Sequence, residues 1–222
     1  KKSNAGKKDQ SYVLYNIPRE IIDKVLFPLG KFENKEQIRE IAKEHDLLTA
    51  KKPDSQEICF IPDDDYAGFL LRSGKVESKP GQIVNKEGKV LGTHKGLIHY
   101  TIGQRKGLGI SNETPLYVID LDTNNNRLIV GEEKDIYSKE LYAKDLNYTV
   151  KIDKTNPIEV KAKIRYAAKE AEAILYPEKE GIAKLEFAEP QRAITRGQSV
   201  VFYIDDVVIG GGKIIWHKFE KS

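Results

Sequence analysis

Cys59 is the single cysteine in 222 residues, and it stands in the tightly patterned stretch Asp54-Ser55-Gln56-Glu57-Ile58-Cys59-Phe60-Ile61-Pro62. As a thiolate it can act as a nucleophile or a sulfur carrier, chemistry that no other side chain of the chain offers. The competing reading is a small buried hydrophobe, because Ile58, Phe60 and Ile61 flank it and free cysteines are commonly core residues. Its position favours chemistry: the polar run Lys51-Lys52-Pro53-Asp54-Ser55-Gln56-Glu57 leads straight into the apolar segment, and such loop ends are where catalytic residues concentrate. Lys51 and Lys52 would favour the thiolate while Asp54 and Glu57 oppose it, so charge alone leaves its population open.

A second motif, Gly103-Gln104-Arg105-Lys106-Gly107-Leu108-Gly109, has the glycine density of a phosphate loop. It lacks the lysine and Ser/Thr that must directly follow the second glycine, and no helix pattern follows. The glycines can make a tight turn presenting Arg105 and Lys106 to a phosphate or a nucleic acid, or a turn with a purely structural role. Gly210-Gly211-Gly212 reads as a turn between strands. His45, His94, His99 and His217 are scattered. His94 and His99 read as ordinary surface or partly buried residues, because no third ligand accompanies the pair. Asp63, Asp64 and Asp65 fit a helix start better than a cation loop. No metal is expected, and one cysteine rules out an internal disulfide.

With 39% hydrophobic and 32% charged residues, the composition is that of an ordinary globular chain with a core. No apolar run approaches the roughly 20 residues a membrane helix needs. No signal-peptide pattern opens the chain, so a cytoplasmic protein without membrane partners is expected. The net charge is only +3, but basic residues cluster at Lys7-Lys8, Lys51-Lys52, Arg105-Lys106 and Lys161-Lys163-Arg165. Such local clustering matters more than the total for a polyanionic partner.

The elements that must position these residues change character along the chain. Pro18 suits the first turn of a helix carrying Ile21, Ile22, Val25 and Leu26. Asn34 caps a second helix, with Gln37 at the capping-box position and Ile38, Ile41 and Ala42 as the buried stripe. A third begins at Asp63 to Asp65, before Phe69, Leu70 and Leu71. From Pro80 onward, short Val/Ile/Leu/Tyr runs between turns predict hairpins around Lys86-Glu87-Gly88 and Asp122 to Asn126. Five further strands, at Glu159 to Tyr166, Ala171 to Tyr176, Ala183 to Phe187, Val200 to Ile204 and Lys213 to Phe219, predict a small closed or nearly closed barrel. The fold class is α+β: a short helical segment over 1–66 carrying the cysteine, a central β-rich domain over 67–139 and a β-barrel domain over 140–222.

Together, Lys8-Asp9-Gln10-Ser11-Tyr12, Thr49-Ala50-Lys51-Lys52, Ser55 through Ile61, the Gly103 to Gly109 loop and the Gly210 to Gly212 turn closely resemble the tRNA-specific 2-thiouridylase family. The resemblance covers nearly the whole chain, in the part that follows the family's ATP-binding domain. It implies an ATP-dependent sulfurtransferase that activates C2 of the wobble uridine of tRNA and replaces that oxygen with sulfur. It implies that Cys59 carries a persulfide supplied by a sulfur-donor protein, while a partner cysteine lies in the preceding domain. The matching tRNA-contact positions are Lys8, Asp9, Gln10, Arg165, Tyr166 and Gln198. The family's Ser-Gly-Gly-x-Asp pyrophosphate loop and partner cysteine are absent and methionine occurs nowhere. The expectation is therefore a piece that neither binds ATP nor completes the reaction alone.

Read for their chemistry, these residues suit the task. A thiol can be reversibly persulfidated, and a second thiol can release the outer sulfur by exchange. Arg165 can pair with phosphate and Tyr166 can stack on an unpaired base. Each fits a strand position equally well. Two alternatives stand beside the thiolase reading: a non-catalytic RNA-binding β module in which Cys59 is only packed, and a sulfur-carrier protein acting on a protein partner.

Overall fold

The computed structural model describes residues 1–4, 6, 9–51, 61, 65–74, 76–177 and 181–215. Cys59 with most of its motif, Lys8, and the predicted strand end beyond 215 lie outside the described residues. In chain order the elements are α1 (Ser11–Leu14), α2 (Arg19–Ile22), α3 (Lys35–Glu44), α4 (Tyr66–Arg72), β1 (Gly81–Val84), β2 (Val90–His94), β3 (Tyr117–Asp122), β4 (Arg127–Gly131), β5 (Tyr137–Tyr148), β6 (Ile158–Lys163), β7 (Ala171–Pro177), β8 (Ala183–Arg192), β9 (Ser199–Ile204) and β10 (Val207–Ile215). These residues form two compact units, one of Lys1–Lys52 with Lys139–Gln191 and Thr195–Ser222, the other of Pro53–Ser138 with Arg192–Ile194.

In the first unit, β10, β5, β8, β7, β6 and β9 close into a barrel, in that order. The predicted barrel is therefore present with six strands rather than five. The added strand is β5, whose Leu141 and Ala143 are fully buried while its other positions are charged or polar enough to hide the alternation. On β6, β7 and β8 the period of two is plain: Val160 and Ala162, Ala173 and Leu175, and Ala183, Leu185 and Phe187 point inward between exposed or half-buried neighbours. β9 breaks the alternation, because Val200, Val201, Phe202 and Tyr203 are all buried. Its outward face is covered by Tyr12 and Tyr15 of the amino-terminal segment, which cluster with Val201 and Tyr203.

The Gly210-Gly211-Gly212 turn predicted from sequence is instead the interior of β10. Glycine is needed there for close approach. A Cβ on Gly211 would lie 2.6 Å from the Tyr15 ring, and one on Gly212 would lie 2.7 Å from the Lys144 carbonyl oxygen.

The helices differ more from expectation. The helix predicted through Leu26 stops at Ile22, and single-turn bonds from Lys24 N–H to the Ile21 carbonyl and Val25 N–H to the Ile22 carbonyl replace it. Two β-branched isoleucines followed by Val25 are weak helix formers, so the segment relaxes into turns. α3 forms with its cap as expected, the Asn34 side chain accepting from the Gln37 N–H at 3.0 Å. Its Ile38, Ile41 and Ala42 stripe is not buried among the described residues, and Ile41 is 40% exposed.

In the second unit, four strands lie in the order β2-β1-β4-β3. β1 runs antiparallel to β2 and parallel to β4, and β3 pairs antiparallel with β4. Both predicted hairpins are present. The core is Ile83, Tyr100, Leu108, Val118, Leu128 and Val130. His94, expected at the surface or partly buried, is 1% exposed. Its Nδ1 accepts from the Gly96 N–H at 3.0 Å, so Nε2 carries the proton facing the Asn126 carbonyl at 3.1 Å. Both nitrogens are used structurally, which explains how a histidine is tolerated in the core. α4 starts where the acidic cluster predicted, with Asp65 accepting from the Gly68 N–H at 2.8 Å.

Candidate nucleic-acid interface

One end of the barrel gathers four of the six residues proposed from sequence as tRNA contacts. The β6–β9 pairing is antiparallel and includes Lys163 opposite Val201, so the residues just after β6 and just before β9 emerge at the same end. Arg165 and Tyr166 occupy the turn after β6, closed by the Ala168 N–H bonding to the Arg165 carbonyl at 3.1 Å. Both side chains are exposed, contrary to a strand position. Gln198 is exposed immediately before β9, in a turn where its N–H reaches the Thr195 carbonyl at 3.3 Å and its carbonyl accepts from Ile214 at 2.8 Å.

The amino-terminal segment reaches this end through α1. Tyr12 and Tyr15 lie on one face of it, three residues apart, and pack on β9. The Tyr12 hydroxyl donates to the Ser199 carbonyl at 2.8 Å, and the hydroxyls of Tyr15 and Ser199 are 2.9 Å apart. The side-chain amide of Asn147 donates to the Tyr15 and Ile17 carbonyls, anchoring the far end of the segment. So held, the segment brings the Gln10 amide to the Tyr166 hydroxyl, donating at 2.7 Å.

Around that bond the surface is cationic and aromatic. The Tyr12 and Tyr166 rings meet edge to face at 6.0 Å, and the Lys163 ammonium lies 5.7 Å from the centre of each. Among the described residues neither Lys163 nor Arg165 has a carboxylate partner. Tyr166 is 44% exposed, leaving ring surface for a stacked base. Sequence reasoning named Lys163 only as part of a basic cluster and Tyr12 only as part of a motif. The signal for Lys163 was the period-two run Lys161, Lys163, Arg165, which puts cations on one face of a strand and its exit.

Asp9 is turned inward. Its carboxylate accepts from the Ser3 N–H at 2.8 Å, from the Ser11 N–H at 3.2 Å and from the Ser11 hydroxyl. Burial pushes this carboxyl up, but the Ser11 and Ser3 hydrogen bonds outweigh it and hold it below the usual carboxylate value. Beneath it, burial pushes the Tyr203 hydroxyl up to about 12, with Asp9 and Glu170 adding to the rise. Burial likewise takes Tyr12 up to about 12, with Tyr15 assisting. Asp9 thus fixes the approach to α1, while Gln10 faces outward.

The described residues do not fit ATP. In 1–51 the glycines are Gly6 and Gly30, none forms a loop leading into a helix, and the start of α3 is already capped by Asn34. Among the described residues no group of three or more metal-ligating side chains occurs, and no helix is long and apolar enough to cross a membrane.

Three family models match in succession: "tRNA methyl transferase HUP domain" over residues 1–63, "tRNA methyl transferase PRC-barrel domain" over 68–132 and "Aminomethyltransferase beta-barrel domain" over 138–214. The chain is thus a HUP-domain segment followed by two β domains, consistent with its α+β fold, and the HUP domain implies ATP use in the family.

Its relatives are more particular. The tRNA-specific 2-thiouridylase MnmA of Acetivibrio thermocellus is 53% identical over 96% of this chain and 59% of its own length. That of Clostridioides difficile is 48% identical over 96% of this chain and 59% of its own. One from Thermoanaerobacter sp., MnmA 2, is 53% identical over 96% of this chain and 58% of its own. The chain belongs to the tRNA-specific 2-thiouridylase family, and it spans somewhat under three-fifths of the length of these relatives.

Proposed function

We propose that this chain is the part of an ATP-dependent tRNA-uridine 2-sulfurtransferase that holds tRNA and presents Cys59 as the persulfide carrier for thiolation at C2 of the wobble uridine. In this reading residues 1–66 carry the cysteine, 67–139 form the central β-rich domain and 140–222 the barrel domain. The protein works in the cytoplasm, and a sulfur-donor protein loads Cys59. The observation that carries the RNA half is the Gln10–Tyr166 bond, which joins an amide and a half-exposed ring from residues 156 apart in sequence. Lys163 and Arg165 add cations that no carboxylate among the described residues neutralises, beside that ring, the combination of stacking platform and phosphate partner that unpaired RNA requires. Gln198 extends the same contact, Lys8 joins it on the family resemblance alone, and Asp9 acts by positioning Gln10.

The sulfur half rests on the single thiol and on the names of the relatives. A persulfide at Cys59 forms when its thiolate takes the outer sulfur of a donor persulfide, leaving the donor as a thiolate. The measurement is intact mass after incubation with a cysteine desulfurase and cysteine, beside Cys59→Ser. A gain of about 32 Da, reversed by reductant and confined to the parent, is expected. No gain on the parent overturns the carrier role.

A further inference from the structure

The Gly103–Gly109 loop is a built feature of the second unit that the barrel-end site does not use. The Gln104 side chain locks it from inside, its Oε1 accepting from the Thr101 N–H at 3.0 Å and its Nε2 donating to the Lys106 carbonyl at 2.9 Å. The loop is stitched to β3 by the Gly103 N–H to the Val118 carbonyl at 2.8 Å and the Val118 N–H to the Gln104 carbonyl at 2.9 Å. Leu108 pins its far side in the core. Gly103, Gly107 and Gly109 all have positive φ, at 84°, 78° and 68°, so the tight path needs glycine at each.

All this internal bonding fixes two long cationic side chains in solvent. Arg105 and Lys106 are exposed, and among the described residues neither head has a carboxylate or hydrogen-bond partner. A third cation lies alongside: Arg192 stacks 5.9 Å from the centre of the Tyr117 ring, with a guanidinium nitrogen 3.5 Å from where a Gly103 Cβ would be. A folded chain gains nothing by ordering a loop merely to hold unpaired cations together, so the arrangement points to an anion supplied from outside.

We infer that the Gly103–Gly109 loop, with Arg105, Lys106 and Arg192, is a second RNA contact that grips the sugar–phosphate backbone. A compact nucleotide phosphate fits the start of the loop poorly. Such a ligand needs converging free backbone N–H groups, and here those of Gly103 and Gln104 are bonded to the Val118 and Thr101 carbonyls. Long, exposed cations suit an extended polyanion. The inference rests on the RNA-holding reading above but concerns different residues.

The test is tRNA binding by the chain, measured as a function of salt, for the parent, Arg105→Ala/Lys106→Ala, a charge-matched control Lys89→Ala/Lys95→Ala, and Arg165→Ala. Losing two phosphate contacts should weaken binding roughly 10-fold at low salt and flatten the log K against log salt slope by about 1–2, since each contact releases close to one counterion. The control should do much less. Equal effects of loop and control variants would mean only net charge is felt, and overturn the loop contact. So would an unchanged slope in the loop variant while Arg165→Ala loses binding, which leaves the barrel-end reading standing. No binding by the parent overturns both. ATP that displaces tRNA from the parent but not from the loop variant, at matched ionic strength, would make the loop a nucleotide site and overturn the backbone assignment.

Discussion

The Gln10 side-chain amide donates to the Tyr166 hydroxyl at 2.7 Å, across 156 residues of sequence. The bond orients the ring without covering it, because Tyr166 remains 44% exposed. Tyr166→Ala should therefore weaken tRNA binding about 5- to 150-fold, the range of one base–aromatic stack. Tyr166→Phe keeps the ring and loses only the bond from Gln10, so it should lose a few-fold at most. Equilibrium binding by fluorescence anisotropy separates the two. Equal losses in both variants would show that the hydroxyl, not the ring, makes the contact.

Asp9 predicts an acid-side signature. Its folded carboxyl lies below the usual value of 3.8, so it binds a proton less readily folded than unfolded. The stability it contributes is complete above 3.8 and is lost as pH falls through the lower folded value. Asp9→Asn should cost about 1 kcal/mol near neutrality, because a partly exposed, charge-assisted set of hydrogen bonds is weakened rather than left buried. The difference between parent and variant in urea unfolding should shrink towards zero as pH drops below 3.8. A difference constant with pH would mean that the charge of Asp9 contributes nothing.

The tyrosines beneath give the opposite signature. Tyr203 and Tyr12 are pushed from 10.0 up to about 12, so folding favours their protonated forms. That contribution is intact below pH 10 and is lost as pH rises towards 12. Tyr203→Phe should flatten the fall in stability across this window relative to the parent. Phenolate absorbance of the parent should show these tyrosines ionising after the exposed ones or together with unfolding.

The fold was legible wherever one face of an element is buried and the other is wet. β6, β7 and β8 announce themselves by alternation, and the Asn34 and Asp65 caps mark α3 and α4 from sequence. β5 was hidden because only Leu141 and Ala143 are buried along its polar length. The site was half legible. Gln10, Tyr166 and Gln198 came from a family resemblance, not from any pattern in the residues, while Arg165 also stood out in the basic cluster with Lys161 and Lys163. Their meeting depends on β6–β9 register and on Tyr12 and Tyr15 covering β9, relationships between distant segments that local sequence does not encode. His94 misled for a related reason: its burial depends on the Gly96 N–H and the Asn126 carbonyl supplied by the fold.

Gly211 gives the most direct test of how the amino-terminal segment is held. A methyl group there would meet the Tyr15 ring and the Val200 carbonyl oxygen, each at 2.6 Å, and the carbonyl cannot move without breaking the β9–β10 ladder. Tyr15 is the softer neighbour, so it should yield, dragging α1 and with it Tyr12 and Gln10 away from the barrel end. Gly211→Ala should cost about 1–3 kcal/mol, the usual penalty for overpacking a filled core, read as a lower urea midpoint. It should also weaken tRNA binding although residue 211 is itself buried, because Tyr166 loses the amide that orients it. Tyr15→Ala in the same chain makes room for the methyl group. If the collision with Tyr15 is the cause, the Gly211→Ala penalty should be much smaller in that background, and an undiminished penalty would assign it to the Val200 carbonyl instead.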